Sequence, residues 1–382
     1  MFMKIDVVQV KTPAQMRDFI NIPYDLYKGH ATYTPPLRMM EATRFDPKKN
    51  PGLARIEPTY WLAYSGDEPV GRIASFVNHE HLELYNDETG HFGFLDVNPG
   101  FREAVGSLLK AAEDWLRDKG MKHMAGPYNF SVNEECGMLI DGFDTPQMML
   151  MPHGREDYPT MMEMCGYEKA MDTYAYISNV HEGYPRPDII YKMQKLADRT
   201  DDLTFRKMDK KNYVREIEVA MEIFNDAWSE NWGYLPYSDA QVQHMANDLK
   251  PLIDPDGFWF AEKDGEALGF VLLAPNLNEA ISGLNGRLFP FGWAKLLYRL
   301  KIKGTRTGRV PLMGIRKSIQ KKRTGTLVML NLFELCYNAM RKKGYADIEL
   351  SWILEPNKDV QNMIDLCGAH IYKTYRIYKK AL

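Results

Sequence analysis

The chain has 382 residues, of which 45% are hydrophobic and 26% are charged, and its net charge is −3. This length exceeds one ordinary domain and suits two domains of about 180–200 residues. A slightly acidic chain does not favour nucleic acid as a partner, and no run approaches the roughly 18 apolar residues of a membrane-spanning helix.

The first clear element is a strand–turn–strand pattern that occurs twice. Residues 61–76 read WLAYSGDEPVGRIASF, and residues 259–274 read WFAEKDGEALGFVLLA, at an offset of 198 without a gap. Each copy is a short apolar run, a polar turn with Gly and Asp, and a second apolar run. Both copies therefore predict a β-hairpin.

Two further segments repeat in the same order. The helical pattern LLKAAEDWLRDKGM (108–121) matches LFELCYNAMRKKGY (332–345), and both copies end in basic residues and Gly. CGYEKAMDTYAYI (165–177) matches CGAHIYKTYRIY (367–378) with one gap. We therefore predict an internal duplication into halves 1–180 and 195–382, joined through the Pro-containing stretch 181–194. The fold class is α/β, as an α+β mixed sheet with helices packed on it.

Two polar stretches are candidates for substrate contacts. In 129–144, carboxylates and amides stand among apolar residues, and Asn133 and Glu134 are the better site candidates; capping and turn formation are the alternative. In 224–236, Asn225, Trp228, Asn231 and Trp232 suit a cleft with an apolar wall and a few orienting hydrogen bonds. Core packing is the alternative there.

The stretch 284–309, which the first half lacks, interleaves aromatic and basic residues. It reads LNGRLFPFGWAKLLYRLKIKGTRTGR. Such an amphipathic segment can lie in a membrane interface or gate an acyl chain, or it can pack on its domain with its lysines in water. Four separated cysteines without zinc spacing predict no metal site, and the N-terminus lacks a cleavable signal pattern. We therefore expect a cytoplasmic location, with 284–309 as the candidate for peripheral contact with the inner membrane surface.

Residues 310–330 read VPLMGIRKSIQKKRTGTLVML, a short apolar strand, a basic loop with Gly and a helix. A loop at a helix N-terminus presents N–H groups and a positive dipole to an anion. A solvated basic loop is the alternative. The order of elements and this loop resemble the GNAT superfamily of acyl-CoA-dependent N-acyltransferases, in which the equivalent loop holds the CoA pyrophosphate.

The resemblance implies which residues would bind the donor. The family loop is Q/R-x-x-G-x-G/A, and the chain has Gln320-Lys-Lys-Arg323-Thr-Gly325, with Arg323 in place of the first Gly. A later Asn of the family corresponds to Asn357. The implied cofactor-binding residues are Met313, Gly314, Ile315, Gln320, Lys321, Lys322, Arg323, Thr324, Gly325, Thr326 and Asn357. The implied co-substrate is acetyl-CoA or a longer acyl-CoA, or an acyl carrier protein, without a metal.

The first half departs from the family at the corresponding loop. It keeps Val97, Pro99 and Arg102 but has Glu103-Ala-Val-Gly106 where the glycine-rich run belongs, and an acid opposes bound phosphate. We therefore expect that the first half has lost CoA binding. Over nearly the whole chain the sequence resembles a narrower bacterial family of tandem GNAT-like proteins, the YghO-like family, most clearly at 126–153, 224–236, 274–280 and 351–357.

The resemblance also implies the chemistry. A Tyr protonates the leaving thiolate in the family, and Tyr372 or Tyr375 is the candidate here; an amine acceptor needs a base, for which we prefer Glu355 over Glu349. No Ser-His-Asp or Cys-His pattern has supporting context, so direct transfer is expected. The acceptor is a small-molecule or lipid amine, with a sphingoid base as the specific version. The alternatives are Fem-like aminoacyl transfer from tRNA and a non-catalytic degenerate module.

Overall fold

The computed structural model describes residues 4–183, 185, 187–197, 199–200, 202–250 and 253–382, with the side chains of 248 and 249 left out. Residues 184 and 186 of the predicted junction 181–194 lie outside the described residues. The chain forms two compact units. Unit 1 comprises Met1–Thr173, Ile281–Gly292 and Lys373–Leu382, and unit 2 comprises Tyr174–Ala280 and Trp293–Tyr372.

Unit 1 and the strand that leaves it contain the first elements of the chain. They are β1 (Ile5–Gln9), α1 (Pro13–Leu26), α2 (Arg38–Arg44), β2 (Ile56–Ser65), β3 (Glu68–Asn78), α3 (His79–Tyr85), β4 (Thr89–Val97), α4 (Ala104–Asp118), β5 (His123–Gly126), β6 (Met138–Asp141), α5 (Tyr158–Met164) and β7 (Glu168–Asn179).

The remaining elements belong mostly to unit 2. They are α6 (Pro187–Ala197), β8 (Leu203–Lys207), α7 (Tyr213–Trp228), α8 (Asp239–Leu249), β9 (Phe258–Lys263), β10 (Glu266–Pro275), α9 (Leu277–Ile281), α10 (Gly292–Tyr298), β11 (Thr307–Ile315), α11 (Arg323–Lys343), β12 (Asp347–Leu354), α12 (Lys358–Leu366) and β13 (His370–Ala381).

The repeated sequence patterns form equivalent elements. Both predicted hairpins are present as antiparallel pairs, β2 with β3 and β9 with β10. The helices α5 and α12 each end at a Cys followed by a Gly with positive φ, Gly166 at 82° and Gly368 at 81°. Because only a residue without Cβ takes this conformation cheaply, the Cys-Gly pair stops both helices and starts the next strand.

The sheet of unit 1 is mostly antiparallel. Its strand order is β1-β2-β3-β4-β5-β13, and β6 pairs with β13. The one parallel pair in this series is β4 with β5. The core of unit 1 is formed by apolar residues of β3, β4 and helix α4, among them Ile73, Phe92 and Leu108. Strand β13 pairs with β5 and β6 through residues 374–381. Residues 373–382 therefore belong to unit 1, although the residues just before them in sequence belong to unit 2.

The sheet of unit 2 has the order β7-β12-β11-β10-β9-β8, with β11 parallel to β12 and β10 antiparallel to β11. Alternate residues of its strands face two different cores, as the two-residue period of a strand requires. Val271, Val310 and Leu350 pack with α11 on one face, whereas Phe270 and Leu272 pack with α7 on the other. The predicted α/β class, with helices packed on a mixed sheet, is confirmed.

Candidate functional site

The parallel strands of unit 2 separate partway along their length. Residues Thr307–Val310 of β11 pair with Asp347–Leu350 of β12, and the ladder ends there although β11 runs on to Ile315 and β12 to Leu354. We call the gap between 311–315 and 351–354 the strand opening. Backbone groups on its edges are not used by the partner strand, so they can bind an extended ligand.

Tryptophan side chains lie at this opening. The Trp228 indole Nε1 donates to the Met313 carbonyl oxygen at 3.3 Å. The Trp228 and Trp352 rings meet edge to face, with centroids 5.8 Å apart. Trp228, predicted as a substrate residue, is therefore placed beside Met313, predicted as a donor residue. The two rings provide an apolar wall along one edge of the opening.

Helix α11 begins where β11 and its basic loop end. No side chain caps its N-terminus at Lys322, so the N–H groups of Arg323, Thr324 and Gly325 have no intrahelical acceptor and point out of the first turn. Lys321, Lys322 and Arg323 are exposed around them. A Cβ at Gly325 would lie 2.2 Å from the Ile319 oxygen, so only glycine fits this turn. These residues fit a pyrophosphate through N–H groups, dipole and positive charge.

The loop before α11 is fastened to the last turn of α7. The Lys317 N–H donates to the Asp226 carboxylate at 2.7 Å, and the Gln320 amide donates to the Ala227 and Ile315 carbonyl oxygens at 3.3 and 3.0 Å. The side-chain amide of Gln320, a residue predicted to bind the donor, thus donates to two backbone carbonyl oxygens. Lys321 stands in the left-handed region, with φ of 58°, which makes the loop locally strained.

A buried polar network joins β11, β12 and β13 in unit 2. Glu349 is fully buried, and its carboxylate receives hydrogen bonds from the Ser351 and Tyr372 hydroxyls and an ion pair from Arg309 Nε at 3.2 Å. Arg309 also donates to the Ser351 hydroxyl at 2.9 Å. We call these four residues the buried network. Tyr372 and Glu349, both predicted as catalytic, are brought into direct contact.

The network lies on a defined face of the sheet. Arg309 and Glu349 alternate with Val310, Ile348 and Leu350, which belong to the core under α11. Since successive strand residues point to opposite faces, the network points to the side of α7, where Trp228 lies. Sequence reasoning missed Arg309 and Ser351. The available signal was the two-residue alternation of polar and apolar residues in Arg309-Val310 and in Glu349-Leu350-Ser351.

The end of β12 carries the remaining predicted donor and base residues. Asn357 stands at the N-cap position of α12, but its side chain makes no capping hydrogen bond. The Gln361 amide donates to the Leu354 and Glu355 carbonyl oxygens at 3.0 and 2.9 Å and so holds this corner. Glu355 is partly exposed there. Asn357 and Glu355 therefore flank the strand end that borders the opening.

Other predicted substrate residues of unit 2 have local structural contacts. The Asn225 side-chain oxygen accepts from the Tyr234 hydroxyl at 2.9 Å and from the Tyr237 N–H at 3.4 Å, so it shapes the loop after α7. Asn231 and Trp232 lie in that loop and are partly exposed. Tyr375, the second predicted proton donor, is buried and belongs to unit 1.

Unit 1 has the same parallel strand pair, but its own chain occupies the space beyond it. The Tyr128 N–H donates to the Phe92 oxygen at 2.7 Å, and the Phe130 ring packs against Phe94 with centroids 4.9 Å apart. A Cβ at Gly93 would lie 1.8 Å from the Tyr128 oxygen. The segment after β5 therefore fills the position that corresponds to the strand opening of unit 2.

Glu134, another predicted substrate residue, lies in this filling segment of unit 1. Arg44 pairs with Glu41 at 3.0 Å and with Glu135 at 3.4 Å, so three carboxylates share the surroundings of one guanidinium. Burial raises the pKa of the Glu134 carboxyl to about 7; Arg44 opposes this rise, and Glu135 and Glu41 add to it. The backbone N–H of Asn133, the neighbouring candidate, donates to the Ser131 hydroxyl oxygen at 3.0 Å.

The raised pKa predicts how pH affects the stability of unit 1. Between the ordinary carboxyl value and about 7, the folded state holds a proton that the unfolded state has lost, so stability falls as pH rises through this window. We expect Glu134→Gln to be more stable than the unaltered chain by about 1–3 kcal/mol at pH 8, with a smaller difference at pH 5. Urea unfolding at both pH values measures this, with the exposed Glu68→Gln as control. A pH-independent difference would contradict the assignment.

The described part of the chain sets two limits on the site. Among those residues, no group of three or more His, Cys, Asp or Glu side chains could hold a metal ion. Among the same residues, no helix has the length and apolar character needed to cross a membrane.

Comparison with known proteins shows relatives over nearly the whole chain. No family model matches the chain. It is 39% identical to the bacterial ceramide synthase of Caulobacter vibrioides (strain NA1000 / CB15N), over 99% of this chain and 98% of that protein. It is 38% identical to protein YghO of Escherichia coli (strain K12), over 96% of this chain and 93% of that protein.

Among solved structures, the fold is similar to that of a tandem GNAT protein from the clavulanic acid biosynthesis pathway, with a TM-score of 0.56, 12% identity and coverage of 99% and 98% of the two chains. It is also similar to a GCN5-related N-acetyltransferase from Sphaerobacter thermophilus, with a TM-score of 0.52, 13% identity and coverage of 99% and 95%. These identities support the fold, and the sequence relatives support the family. The chain therefore belongs to the YghO-like family of tandem GNAT-type N-acyltransferases.

Proposed function

We propose that the chain transfers an acyl group from acyl-CoA, or from an acyl carrier protein, to an amine, and that unit 2 binds the donor. The observation that carries this proposal is the strand opening beside an uncapped α11 whose first turn accepts only glycine at position 325. The opening suits the extended arm of the donor, and the first turn suits its phosphates. The filled position in unit 1 favours a single donor site.

The roles of the donor residues follow from their placement. The N–H groups of Arg323, Thr324 and Gly325 would bind the pyrophosphate, with Lys321 and Lys322 adding positive charge. Met313 and Ile315 would offer strand-edge N–H groups to the donor arm, since their carbonyl oxygens accept from the Trp228 indole and the Gln320 amide. Gly314 would lie between them along the arm, and Thr326 would follow in the helix. Gln320 would act on the loop rather than on the donor, because its amide is used by two carbonyl oxygens.

Direct transfer forms one C–N bond and breaks one C–S bond. The amine nitrogen attacks the thioester carbonyl carbon, loses a proton, and the thiolate leaves and takes a proton. We propose that the Tyr372 hydroxyl gives its proton to the leaving thiolate and takes the proton that the amine nitrogen loses after attack. Its hydroxyl is held by the Glu349 carboxylate, whose charge is balanced by Arg309 and whose position is fixed by Ser351. Glu355, partly exposed at the end of β12, remains the candidate for the first deprotonation of the amine.

We propose a long-chain acyl donor and a sphingoid base as acceptor for the specific reaction. The name of the Caulobacter relative, with 39% identity over 99% of this chain, supports that substrate class. The apolar wall of Trp228 and Trp352 is suited to an acyl chain. Fem-like transfer from tRNA predicts turnover without CoA, and a degenerate binding module predicts no turnover at all.

The proposal is tested by calorimetry and by turnover on the unaltered chain. We expect saturable binding of palmitoyl-CoA, tighter than that of acetyl-CoA, and formation of an N-acyl sphinganine from the two substrates. Equal affinity for both donors, together with no product from lipid amines, would remove the long-chain version. Absence of any binding of CoA thioesters, with product formed from aminoacyl-tRNA, would support the Fem-like alternative.

The assignment of Tyr372 makes a separate prediction. Because a positioned proton donor contributes about 100- to 10,000-fold, we expect Tyr372→Phe to lower kcat by that order while donor binding stays within about twofold. Single-turnover rates and calorimetry with palmitoyl-CoA measure the two effects. Tyr375→Phe distinguishes the two predicted tyrosines: if that variant loses the activity and Tyr372→Phe keeps it, the assignment is wrong.

A further inference from the structure

The segment Phe289–Lys303 exposes large apolar side chains to water. Phe289 is 80% exposed, Phe291 is 78% exposed and Ile302 is 75% exposed, and Leu297 and Tyr298 are also exposed. The segment contains α10 and the π-helical residues Arg299–Lys303 that continue it. Apolar residues of this size are usually removed from water, so several exposed ones within one short segment indicate a contact surface.

The charge of the surrounding stretch is one-sided. Residues 284–306 contain six Lys or Arg residues and no Asp or Glu, which leaves −9 for the rest of a chain whose net charge is −3. Lys295 and Lys303 are exposed, as are Arg287 and Arg306. A positive stretch on an otherwise negative chain selects for a negatively charged partner.

We propose that Phe289–Lys303 is a docking surface for the anionic surface of a lipid bilayer. Interleaved aromatic and basic residues match a bilayer interface, where rings enter the headgroup region and lysines remain at the phosphates. A soluble polyanion would use the charges but would leave Phe289, Phe291 and Ile302 in water. A protein partner is disfavoured because lysine is depleted in protein interfaces. The inference is independent of the proposed reaction, since docking requires no turnover.

The test is co-sedimentation of the full chain with vesicles. We use phosphatidylcholine vesicles with and without about one-third phosphatidylglycerol, because the anionic lipid supplies the expected charge. We expect binding to the anionic vesicles that weakens as salt is raised. Phe289→Ser combined with Phe291→Ser and Ile302→Ser is expected to lower the partition coefficient at least tenfold, and Lys295→Glu with Lys303→Glu to lower it about tenfold on anionic vesicles alone.

Met164→Ser is the matched control, since Met164 is 82% exposed and lies far from the segment in sequence. The control is expected to bind vesicles like the unaltered chain, and circular dichroism checks that every variant is folded. The proposal is overturned if the unaltered chain does not sediment with anionic vesicles, or if the triple Ser variant binds them as the control does. Retention on heparin or on an acyl carrier protein without vesicle binding would assign the segment to a soluble acidic partner and would also overturn it.

Discussion

Replacing Glu349 with Ala is expected to abolish acyl transfer and to destabilise unit 2 by about 3–5 kcal/mol. The carboxylate is fully buried and balances the buried guanidinium of Arg309, so its removal takes away a buried counterion of that positive charge. The Ser351 and Tyr372 hydroxyls lose the acceptor that orients them. Urea unfolding measures the first effect and turnover of acyl donor measures the second.

A double variant separates stability from chemistry. Arg309→Met with Glu349→Leu removes both charges and keeps apolar volume, which usually restores most of the stability that a single removal costs. We expect this variant to unfold near the urea concentration of the unaltered chain and to remain inactive, because the Tyr372 hydroxyl no longer donates to the Glu349 carboxylate. Full activity of the double variant would show that the buried network has no part in proton transfer, and unchanged stability of Glu349→Ala would contradict its burial as a charge pair.

Replacing Gly325 with Ala is expected to remove donor binding. The added Cβ would lie 2.2 Å from the Ile319 oxygen and 3.2 Å from Ile315 Cδ1, so the backbone of the first turn of α11 must shift. A shift of that turn moves the N–H groups that would hold the pyrophosphate out of line with it. Hydrogen bonds from such oriented groups weaken when the groups are displaced even slightly. We expect the affinity for palmitoyl-CoA to fall at least about 100-fold in calorimetry, with a loss of stability of about 1–3 kcal/mol.

The duplication supplies a matched control for this variant. Gly106 is the third residue of α4, as Gly325 is of α11, but a Cβ at Gly106 would meet only Cys165 Sγ, at an ordinary 3.7 Å. Gly106→Ala is therefore expected to stabilise unit 1 by at most about 1 kcal/mol, the gain in a helix interior, and to leave donor binding unchanged. Equal donor affinity of Gly325→Ala and Gly106→Ala would show that the first turn of α11 does not contact the donor.

Much of the fold could be predicted because it depends on local chemistry. A turn with Asp and Gly between apolar runs specifies each hairpin, and a Cys-Gly pair specifies the end of α5 and of α12. The basic loop was predicted at the correct boundary between β11 and α11 because a Gly and three cations break the apolar pattern there. These features are short in sequence, so the residues that determine them are neighbours.

The rest depends on contacts between residues far apart in the chain. Arg309 and Glu349 meet because β11 and β12 pair in one parallel register, which neither strand specifies alone. The filling of unit 1 by the segment after β5 also depends on such contacts, since Gly93 and Tyr128 must approach closely. The division into halves 1–180 and 195–382 stays a prediction about the duplication. The bounds of units 1 and 2 differ from those halves because β13 pairs with strands of unit 1.

That placement of β13 has a consequence for synthesis on the ribosome. Unit 1 uses residues 281–292 and 373–382, which follow most of its sequence by more than one hundred and by about two hundred positions. Until residue 382 has emerged, Tyr378 and its neighbours cannot pair with β5, so a nascent chain holds an exposed sheet edge while unit 2 is being made. Removal of 373–382 would therefore destabilise unit 1, whose residues are mostly synthesised first. The two sequence halves, produced as separate polypeptides, would each lack a strand of their own sheet.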